Sequence, residues 1–552
     1  MNRLGSLLAL GLLPLFGLGS FGLVDYDEAA YAEVARAMLA TGDWLVPHLC
    51  GDVWFEKPPF LYWGAALGMK LLGVGPAGVR LFTALAALVT PLALFGFSRR
   101  ALGDRAAFAG ALVLATSLEF AVLARLALTD MLLILWLVVC LGALHRAFES
   151  QKRSLAWMAL ACAAAGLAVL TKGAIGFLFP GIVAVLELGF RARLREVVRP
   201  SWVALAIVLT CGIGFSWYLA LGLTQPGGFG FMQSLFLEHH VGRFSEPMQG
   251  HGGGPFYYLP VLLVGLFPWS LFLPVAFARA GFRGDGERAR LLRLFALASG
   301  VTILFFSVAA TKLASYVAPA LPGIALPIGA LLVSDWDPAD RLLRWSRRVT
   351  LGLVALLAAG CAALPVAVAN LPRFLGEKAA RHPALVNALD VGPGGALAAA
   401  ALLLAGASAW WAWRSARGER ALVSLACGAL AFYTILSHAV LPRLDAHVGA
   451  PLRRIAARAA ELTPPEQRVL MLGLRHRPSV CFYGERETRF TSESGGKWAE
   501  AEVFRGPLHG PIGITGEKQL RRFPHSHRLE ILERDGGYVL FRIPEPGAAE
   551  GR

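Results

Sequence analysis

Charged residues are scarce in this chain, and long apolar runs separate them. Asp, Glu, Lys and Arg make up only 16% of the 552 residues, whereas hydrophobic residues make up 56%. This balance, with a mean hydropathy of +0.57, is typical of an integral membrane protein rather than a soluble enzyme. The net charge of +15 does not indicate nucleic-acid binding, because the basic residues form short clusters between apolar runs.

Cysteine is also sparse, and phosphate-binding motifs are missing. The chain has seven cysteines, and their scatter predicts neither a disulfide framework nor a metal site. No Walker loop is present, so we expect no nucleotide cofactor. Five of the cysteines lie inside apolar runs: Cys140, Cys162, Cys211, Cys361 and Cys427.

About thirteen apolar runs are long enough to cross a bilayer, since a spanning helix needs roughly 20 residues. The first run, residues 4–24, resembles a signal peptide, but no clear cleavage pattern follows it, so we interpret it as a retained span. We therefore predict an all-α polytopic membrane domain over residues 1–440. The predicted spans begin near Leu4, Val79, Ala106, Met131, Leu155, Ala174, Val203, Tyr257, Leu294, Tyr316, Val349, Ala396 and Ala421.

The loops between these spans alternate in charge. By the positive-inside rule, the basic loops and the N-terminus face the cytoplasm. The remaining loops then face outward, and nearly every ionisable residue at the edge of an apolar run lies in one of them. Charge at membrane depth is costly and usually lines a cavity. We therefore predict one polar cavity that opens outward.

The tail, residues 441–552, is more polar than the rest of the chain. An amphipathic helix is predicted at residues 452–462, and β-like runs at residues 468–472, 479–483 and 537–543. Asp535-Gly536-Gly537 is typical of a hairpin turn. We predict a small soluble α/β domain on the outer side, without a catalytic motif.

The first outward loop, residues 25–63, holds the most concentrated set of candidate residues. Helical spacing from Asp27 to Met38 places Asp27 and Glu28 at the positive end of a helix dipole. Such acids often only stabilise a helix start, and a lysine such as Lys57 is common beside a membrane. The alternative is functional: a carboxylate activates an acceptor or stabilises a developing cation, and a lysine at the rim binds a lipid phosphate.

Several other outward residues have two interpretations each. Asp130 is either a helix N-cap or a carboxylate that faces the cavity. Arg125 and Lys172 either snorkel to the interface or line the cavity. Lys312 and Tyr316 are four residues apart, so they share one helix face, and Tyr316 can donate its hydroxyl to a phosphate.

The segment from Glu238 to Arg243 combines acid, histidine and arginine. Arg243 is a candidate phosphate clamp, because a guanidinium matches phosphate oxygens bidentately. His239 or His240 together with Glu56 can bind a divalent ion. Two adjacent histidines rarely ligate one ion, so we favour the phosphate clamp over the metal site.

A set of short motifs falls in the predicted outer loops. The motifs are Asp-Glu-x-x-Tyr-Ala-Glu from Asp27, Gly-Asp-Trp-x-Val-Pro from Gly42, Phe-Glu-Lys-Pro-Pro from Phe55, Leu-Thr-Lys-Gly from Leu170, Glu-His-His-Val-Gly-Arg-Phe from Glu238, Pro-Phe-Tyr-Tyr from Pro255, Phe-Pro-Trp from Phe267 and Lys-Leu-Ala-Ser-Tyr from Lys312. As a set and in this order, they resemble the aminoarabinose transferase branch of the protein O-mannosyltransferase superfamily. The similarity runs from about residue 20 to 335.

This resemblance implies a GT-C fold, juxtamembrane helices and inverting transfer of a sugar from undecaprenyl phosphate. It implies that Asp27 is the catalytic carboxylate with Asp130 as a second acid. Lys57, Arg243 and Tyr316 take donor-phosphate positions. Glu28, Arg125, Lys172 and Lys312 are further cavity residues. Glu56 with His239 or His240 resembles a zinc-like metal position that is not clearly required for chemistry.

The function predicted from the sequence is an inner-membrane glycosyltransferase, acting as a monomer, whose site faces the periplasm. The best-known transfer in this branch is 4-amino-4-deoxy-L-arabinose to lipid A, and an acceptor protein or another envelope glycan is the related alternative. A flippase for lipid-linked sugar is a rival of another class, but no repeat of halves supports it. A non-catalytic envelope scaffold is a third hypothesis, which leaves the outer-loop charges unexplained.

Overall fold

The computed structural model describes residues 3–150, 152–230, 252–334, 340–375, 389–415, 417–474, 477–491 and 511–544. Up to residue 448, almost all regular structure in these ranges is helical. The α-helices of six residues or more there are Arg3–Gly11, Asp27–Thr41, Phe60–Leu72, Pro76–Ala115, Leu118–Leu123, Thr129–Glu149, Ser154–Lys172, Ile175–Phe190, Pro200–Leu205, Ser216–Thr224, Tyr258–Gly265, Leu273–Arg279, Glu287–Val308, Leu321–Leu332, Arg341–Ala369, Gly394–Arg414, Gly418–Ile435 and Leu441–Val448.

Eight helical segments are long and apolar enough to cross a membrane, and two bent helix pairs raise this number to ten within the described ranges. Three shorter apolar helices, Arg3–Leu15, Phe60–Leu72 and Ile175–Phe190, accompany them. The chain is thus an all-α multi-pass membrane protein with an added sheet domain, as predicted. The predicted total of about thirteen membrane spans stays a prediction.

The longest segment, Pro76–Ala115, is two helices that meet at Gly103. Gly103 has φ 78° and ψ 159°, which lie outside the helical region, and a residue without a Cβ adopts such angles at little cost. The break falls between the spans predicted near Val79 and Ala106. By contrast, the predicted span 4–24 is helical only over Arg3–Gly11 and a short turn, Leu13–Leu15.

Ion pairs join loops that were predicted to lie on the same side of the membrane. At one end Arg191 Nη1 lies 2.6 Å from Glu149 Oε1, and Arg293 Nε lies 2.8 Å from Glu187 Oε2. These arginines belong to loops predicted to be cytoplasmic. The predicted outward loops meet one another at a different place, for example where Lys172 pairs with Asp130. Charge alternation therefore predicted which loops come together.

The sheet domain comprises the described residues of 450–544. Its strands are Val469–Leu472 (β3), Thr488–Thr491 (β4), Ile512–Gly516 (β5), Glu530–Asp535 (β6) and Tyr538–Arg542 (β7), while His48–Leu49 (β1) and Asp52–Val53 (β2) form a separate hairpin. The five strands have the order β4-β3-β5-β7-β6, with β3 parallel to β4 and β5, and β7 antiparallel to β5 and β6. Helices Ala450–Leu462 and Pro478–Gly484 pack on one face, and helix Glu517–Arg522 packs on the other.

Most local predictions for this domain are confirmed, and one is wrong. The amphipathic helix lies within Ala450–Leu462, and Gly536 and Gly537 make the turn between β6 and β7 with φ of 52° and 80°. Residues 479–483, however, are helical rather than extended. Pro478 at the first helical turn pre-sets the required φ, and a short apolar run does not by itself distinguish strand from helix.

A disulfide joins the first outward loop to the sheet domain. Cys50 and Cys481 are bonded, and their Cα atoms are 5.7 Å apart although 431 residues separate them in the chain. Cysteine spacing did not predict this bond. Two further contacts support the same junction: Asp25 accepts hydrogen bonds from the Ser479 amide and hydroxyl, and Leu23 N donates to Tyr483 Oη.

Replacing Cys50 and Cys481 together by Ser is expected to destabilise the junction by about 2–4 kcal/mol, because a cross-link over a long loop restricts the unfolded chain. Thermal unfolding of the purified protein in detergent measures this loss. The matched control replaces Cys211 and Cys427, which are exposed and free, by Ser. Equal melting temperatures for the two double variants would contradict the prediction.

Candidate active site

A buried ion pair holds the start of the helix Asp27–Thr41, called the loop helix below. Glu28 accepts hydrogen bonds from Arg80 Nε at 2.7 Å and Arg80 Nη2 at 2.8 Å. Its carboxylate also accepts from the amides of Val24 and Ala127, each at 2.9 Å. Arg80 is fully buried and donates its other hydrogen bonds to the carbonyls of Leu18, Phe21 and Gly22. One charge pair therefore fixes three chain segments around the loop helix.

Three carboxylates lie around Tyr31 on the loop helix. Burial raises the pKa of Tyr31 well above its usual value, and Asp27, Glu56 and Asp130 raise this pKa further. Tyr26 behaves similarly: burial first, then Glu56 and Asp27, raise its pKa to about 12. Asp27 itself is exposed. These predicted site acids, from three separate segments, therefore share one electronegative region.

Two lysines stand beside these acids. Lys57 Nζ lies 3.5 Å from Glu56 Oε1, with both side chains mostly buried. Lys172 Nζ lies 2.6 Å from Asp130 Oδ1 and 5.0 Å from the ring centre of Tyr316. The structure thus brings acidic and basic groups into one cluster, which comprises Asp27, Glu56, Lys57, Asp130, Lys172 and Tyr316.

Two other predicted cavity residues contact backbone carbonyls. Lys312 Nζ donates to the carbonyls of Phe306, Ser307 and Ala309, at the end of the helix Glu287–Val308. This position satisfies carbonyls that a helix end leaves open. Arg125 donates to the carbonyls of Pro14, Phe16 and Gly17 and to Ser20 Oγ. Glu28 was also predicted to line the cavity, and its carboxylate pairs with Arg80 instead.

The remaining predicted site residues lie outside the described ranges. Arg243, His239 and His240 all belong to residues 231–251, so neither the third phosphate position nor two of the metal positions can be placed. Among the residues that are described, no group of three His, Cys, Asp or Glu side chains could hold a metal ion. The zinc-like site with Glu56 therefore stays a prediction.

Motif reasoning missed three residues near the site. Arg80 belongs to none of the motifs, and the only sequence signal is that a charged residue lies near the start of an apolar span. Asp25 anchors the loop to Ser479. Glu119 lies in the short helix Leu118–Leu123, and both of its carboxyl oxygens are buried without a hydrogen-bond partner. Burial first, and then the charge of Asp130, raise the pKa of Glu119 to about 8.

Glu119 predicts a pH effect on stability. Its pKa is higher in the folded than in the unfolded chain, so the unfolded state loses a proton first as pH rises. Wild-type melting temperature is therefore expected to fall between about pH 4.5 and the folded pKa of about 8. Glu119→Gln should flatten this fall, which differential scanning fluorimetry across pH measures. An unchanged pH slope would contradict the assignment.

The clustered groups suit a reaction in which positive charge develops beside a departing anion. Carboxylates stabilise or bind a cationic centre, and lysine or a tyrosine hydroxyl neutralises an oxyanion. The cluster also lies at the ends of apolar helices, since Asp130 is in the first turn of Thr129–Glu149 and Lys172 ends Ser154–Lys172, and this position suits a lipid-linked substrate. These features limit the class of reaction, but they do not identify the substrate.

Comparison with known proteins shows which proteins this chain is similar to. Residues 56–218 match the family model described as dolichyl-phosphate-mannose-protein mannosyltransferase. A Pseudomonas fluorescens protein named undecaprenyl phosphate-alpha-4-amino-4-deoxy-L-arabinose arabinosyl transferase 1 is 28% identical over 98% of both chains. The crystal structure of ArnT from Cupriavidus metallidurans bound to undecaprenyl phosphate aligns with a TM-score of 0.78 and 25% identity, over 98% of this chain and 99% of that one. The chain is similar in sequence and in fold to the ArnT arabinosyl transferases.

Identity to ArnT relatives is higher over part of the chain. A Pseudomonas paraeruginosa protein with the same type of name is 33% identical over 65% of this chain. That alignment spans 64% of the relative's own length, less than two thirds. This similarity confirms the resemblance that the motifs indicated and the GT-C fold expected from it.

Proposed function

We propose that this protein transfers 4-amino-4-deoxy-L-arabinose from undecaprenyl phosphate to a phosphate of lipid A. The observation that carries the proposal is the cluster of Asp27, Glu56, Lys57, Asp130 and Lys172 beside Tyr316, within a fold similar to ArnT bound to undecaprenyl phosphate. The names of the relatives supply the donor and the sugar.

The charges of the cluster support an amino sugar. Three carboxylates and two lysines leave one net negative charge among these five groups. A 4-amino group is a cation near neutral pH, so it is attracted to this region. A neutral sugar gains less electrostatic attraction from the same groups. A phosphate acceptor carries ≈ −1.5 to −2 charges at pH 7 and therefore needs little help from a general base.

In the proposed reaction, the acceptor phosphate oxygen attacks the anomeric carbon while the bond to the donor phosphate breaks. The sugar configuration inverts, and undecaprenyl phosphate leaves with the bonding electron pair. Lys57, Tyr316 and Arg243 neutralise the departing phosphate, where negative charge develops. Asp27 orients the acceptor and stabilises the positive charge that develops on the sugar, and Asp130 acts as a second acid.

We also propose that the site faces the bacterial periplasm. The Cys50–Cys481 bond supports this orientation, because structural disulfides persist in oxidising compartments such as the periplasm. The positive-inside pattern of the opposite loops supports it independently. A monomer, and a divalent ion held by Glu56 with His239 or His240, remain part of the proposal as predictions.

The direct test uses purified protein, undecaprenyl-linked aminoarabinose and lipid A in detergent. Mass spectrometry should detect lipid A with one added aminoarabinose. Transfer to an acceptor protein but not to lipid A would replace the proposed acceptor. Flux of the donor across reconstituted vesicles without any glycosidic product would favour the flippase.

Lys57→Ala is expected to weaken binding of undecaprenyl phosphate by about 10- to 100-fold, because a charge-assisted hydrogen bond contributes about 1.5–3 kcal/mol. Calorimetric titration of undecaprenyl phosphate into the detergent-solubilised protein measures this change. Lys70→Ala is the matched control, since Lys70 is exposed at the end of the next helix, Phe60–Leu72. Equal affinity of both variants would remove Lys57 from the phosphate site.

A further inference from the structure

A polar cavity lies at the end of the helices opposite the proposed active site. Its volume is about 440 Å³, within the roughly 300–1,000 Å³ of ligand pockets. The helix Thr129–Glu149 connects the two places, because it has Asp130 in its first turn and Arg146, which lines the cavity, in its last turn. At 1.5 Å per residue, these two residues are about 24 Å apart along the helix. The cavity is therefore separate from the proposed active site, on the side that charge alternation predicts to be cytoplasmic.

Close packing of two helices places a basic side chain on each of two cavity walls. A Cβ added at Gly142 would overlap the ring of Phe97, so the two helices that contain these residues are in direct contact there. Arg100 follows Phe97 by three residues, and Arg146 follows Gly142 by four, so each lies about one turn beyond the contact. Both arginines line the cavity.

The turn between two of the helices supplies two more cations. Lys152 and Arg153 are exposed residues just before the helix Ser154–Lys172, and both line the cavity. A hydrogen bond helps to fix this turn, since the Arg153 amide donates to Ser150 Oγ at 3.1 Å. Four basic residues from three chain segments therefore surround one cavity.

The lining also includes an acid, Glu149, whose charge is already neutralised. Its Oε1 accepts hydrogen bonds from Arg191 at 2.6 Å and from Arg290 at 2.8 Å, and its Oε2 accepts from Arg290 at 2.5 Å. These two arginines are not part of the cavity lining. Glu149 therefore does little to compensate the four cations that are.

The four cations have few acidic partners of their own. Arg100 Nε lies 3.5 Å from Glu287 Oε1. In the parts of the chain that the structure describes, no ion pair includes Arg146, Lys152 or Arg153. The Nε atom of Arg146 is buried without a hydrogen-bond partner. A buried donor of this kind is costly to leave unsatisfied, and a bound anion would satisfy it.

General reasons for basic residues at this end do not account for their arrangement. Cations near a helix C-terminus stabilise the helix dipole, and the positive-inside rule favours them in cytoplasmic loops. Neither reason requires that cations from three segments converge on one cavity. Their convergence favours a bound anion, and guanidinium groups match phosphate oxygens well.

The adjoining helix surface favours a lipid over a soluble anion. Trp157 lines the cavity, and its ring packs edge-on against Phe97 with ring centres 6.2 Å apart. Tryptophan is enriched at the boundary between membrane and water. Leu160 is exposed and lies three residues further along the helix, so it shares a face with Trp157. An acyl chain can follow this face while its headgroup lies in the cavity.

We propose that this cavity binds the headgroup of an anionic phospholipid. The phosphodiester lies between Arg100, Arg146 and the turn of Lys152 and Arg153, and an acyl chain lies along Trp157. Basic pockets at the cytoplasmic ends of membrane helices attract anionic headgroups. A lipid held there stabilises the folded protein by mass action. This lipid site does not depend on sugar transfer, because it is at the other end of the helices.

The test is a lipid titration of the full-length protein in detergent, with bound lipid measured by native mass spectrometry. The probes are phosphatidylglycerol, zwitterionic phosphatidylcholine and inorganic phosphate. The main variant combines Lys152→Gln with Arg153→Gln, because both side chains are exposed and outside the helices. The matched control combines Arg341→Gln with Arg348→Gln, which removes two exposed charges on the same predicted side but outside the cavity.

We expect the main variant to bind phosphatidylglycerol about 25-fold more weakly than the wild type, because each basic residue near an anionic membrane surface contributes about fivefold to affinity. Arg100→Gln, on another wall, should weaken binding about fivefold. The control should stay within twofold of the wild type. Phosphatidylglycerol should also raise the melting temperature of the wild type and the control more than that of the main variant.

Equal affinity of the wild type and the main variant for phosphatidylglycerol would overturn the proposal. Equal weakening in the main variant and the control would also overturn it, because total surface charge would then explain the binding. Equal affinity of the wild type for both lipids would exclude a site for an anionic headgroup. Inorganic phosphate that binds as tightly as phosphatidylglycerol would exclude a lipid site. All of these outcomes are independent of whether the protein transfers a sugar.

Discussion

Asp27→Asn is expected to lower sugar transfer by about 100-fold or more, since a positioned acid or base contributes typically 10²–10⁴-fold. Asparagine keeps the size of the side chain at the start of the loop helix, but it removes the negative charge beside Tyr31. Binding of undecaprenyl phosphate should change less than twofold. Product formation by mass spectrometry and a lipid titration measure the two effects.

The control for this prediction is Asp52→Asn, in the same loop. Asp52 is exposed in the β1–β2 hairpin, and Arg468 Nη1 lies 3.5 Å from its Oδ1. We expect its transfer rate to stay within twofold of wild type. A normal rate in a folded Asp27→Asn protein would eliminate Asp27 as the catalytic carboxylate.

Arg80→Met is expected to have the largest effect on stability, about 3–5 kcal/mol, because it leaves the Glu28 carboxylate buried without its counter-charge. It also removes the donors for the carbonyls of Leu18, Phe21 and Gly22. The start of the loop helix should then lose its fixed position, so transfer should fall as well. Thermal unfolding in detergent and the transfer assay provide the two measurements.

Two further variants make this result interpretable. Arg99→Met removes a charge from an exposed pair with Asp104, and such pairs contribute at most about 1 kcal/mol. Glu28→Gln combined with Arg80→Met removes both buried charges, so part of the lost stability should return. Equal destabilisation by Arg80→Met and Arg99→Met would show that the buried pair does not hold the loop.

Local patterns predicted the parts of the site that depend on neighbours in the chain. The spacing from Asp27 to Met38 indicated a helix, and the structure has Asp27–Thr41 with Gly42 in the left-handed region at its end. The turn at Gly536 and Gly537 was predicted in the same way, because few residues tolerate positive φ. Charge alternation predicted which loops meet, since the membrane requires loops of one set to share a side.

Distant pairings were not predictable from such patterns. Arg80 and Glu28 are 52 positions apart, and Cys50 and Cys481 are 431 apart. Neither pair has a signature in local spacing. The contacts of Glu28 and Lys312 were not predictable for the same reason. Both residues were predicted to line the cavity, and the fold directs Glu28 to Arg80 and Lys312 to helix-end carbonyls.

By itself, the sequence determined a multi-pass helical membrane protein, a polar site built from one set of loops, and its resemblance to the ArnT branch. Apolar length, charge alternation and motif order are properties of the linear chain, so they can be read directly. Only the tertiary structure decided that a buried arginine and a disulfide fix the first loop. These features arise when distant segments pack together, and packing partners are not encoded in local periodicity.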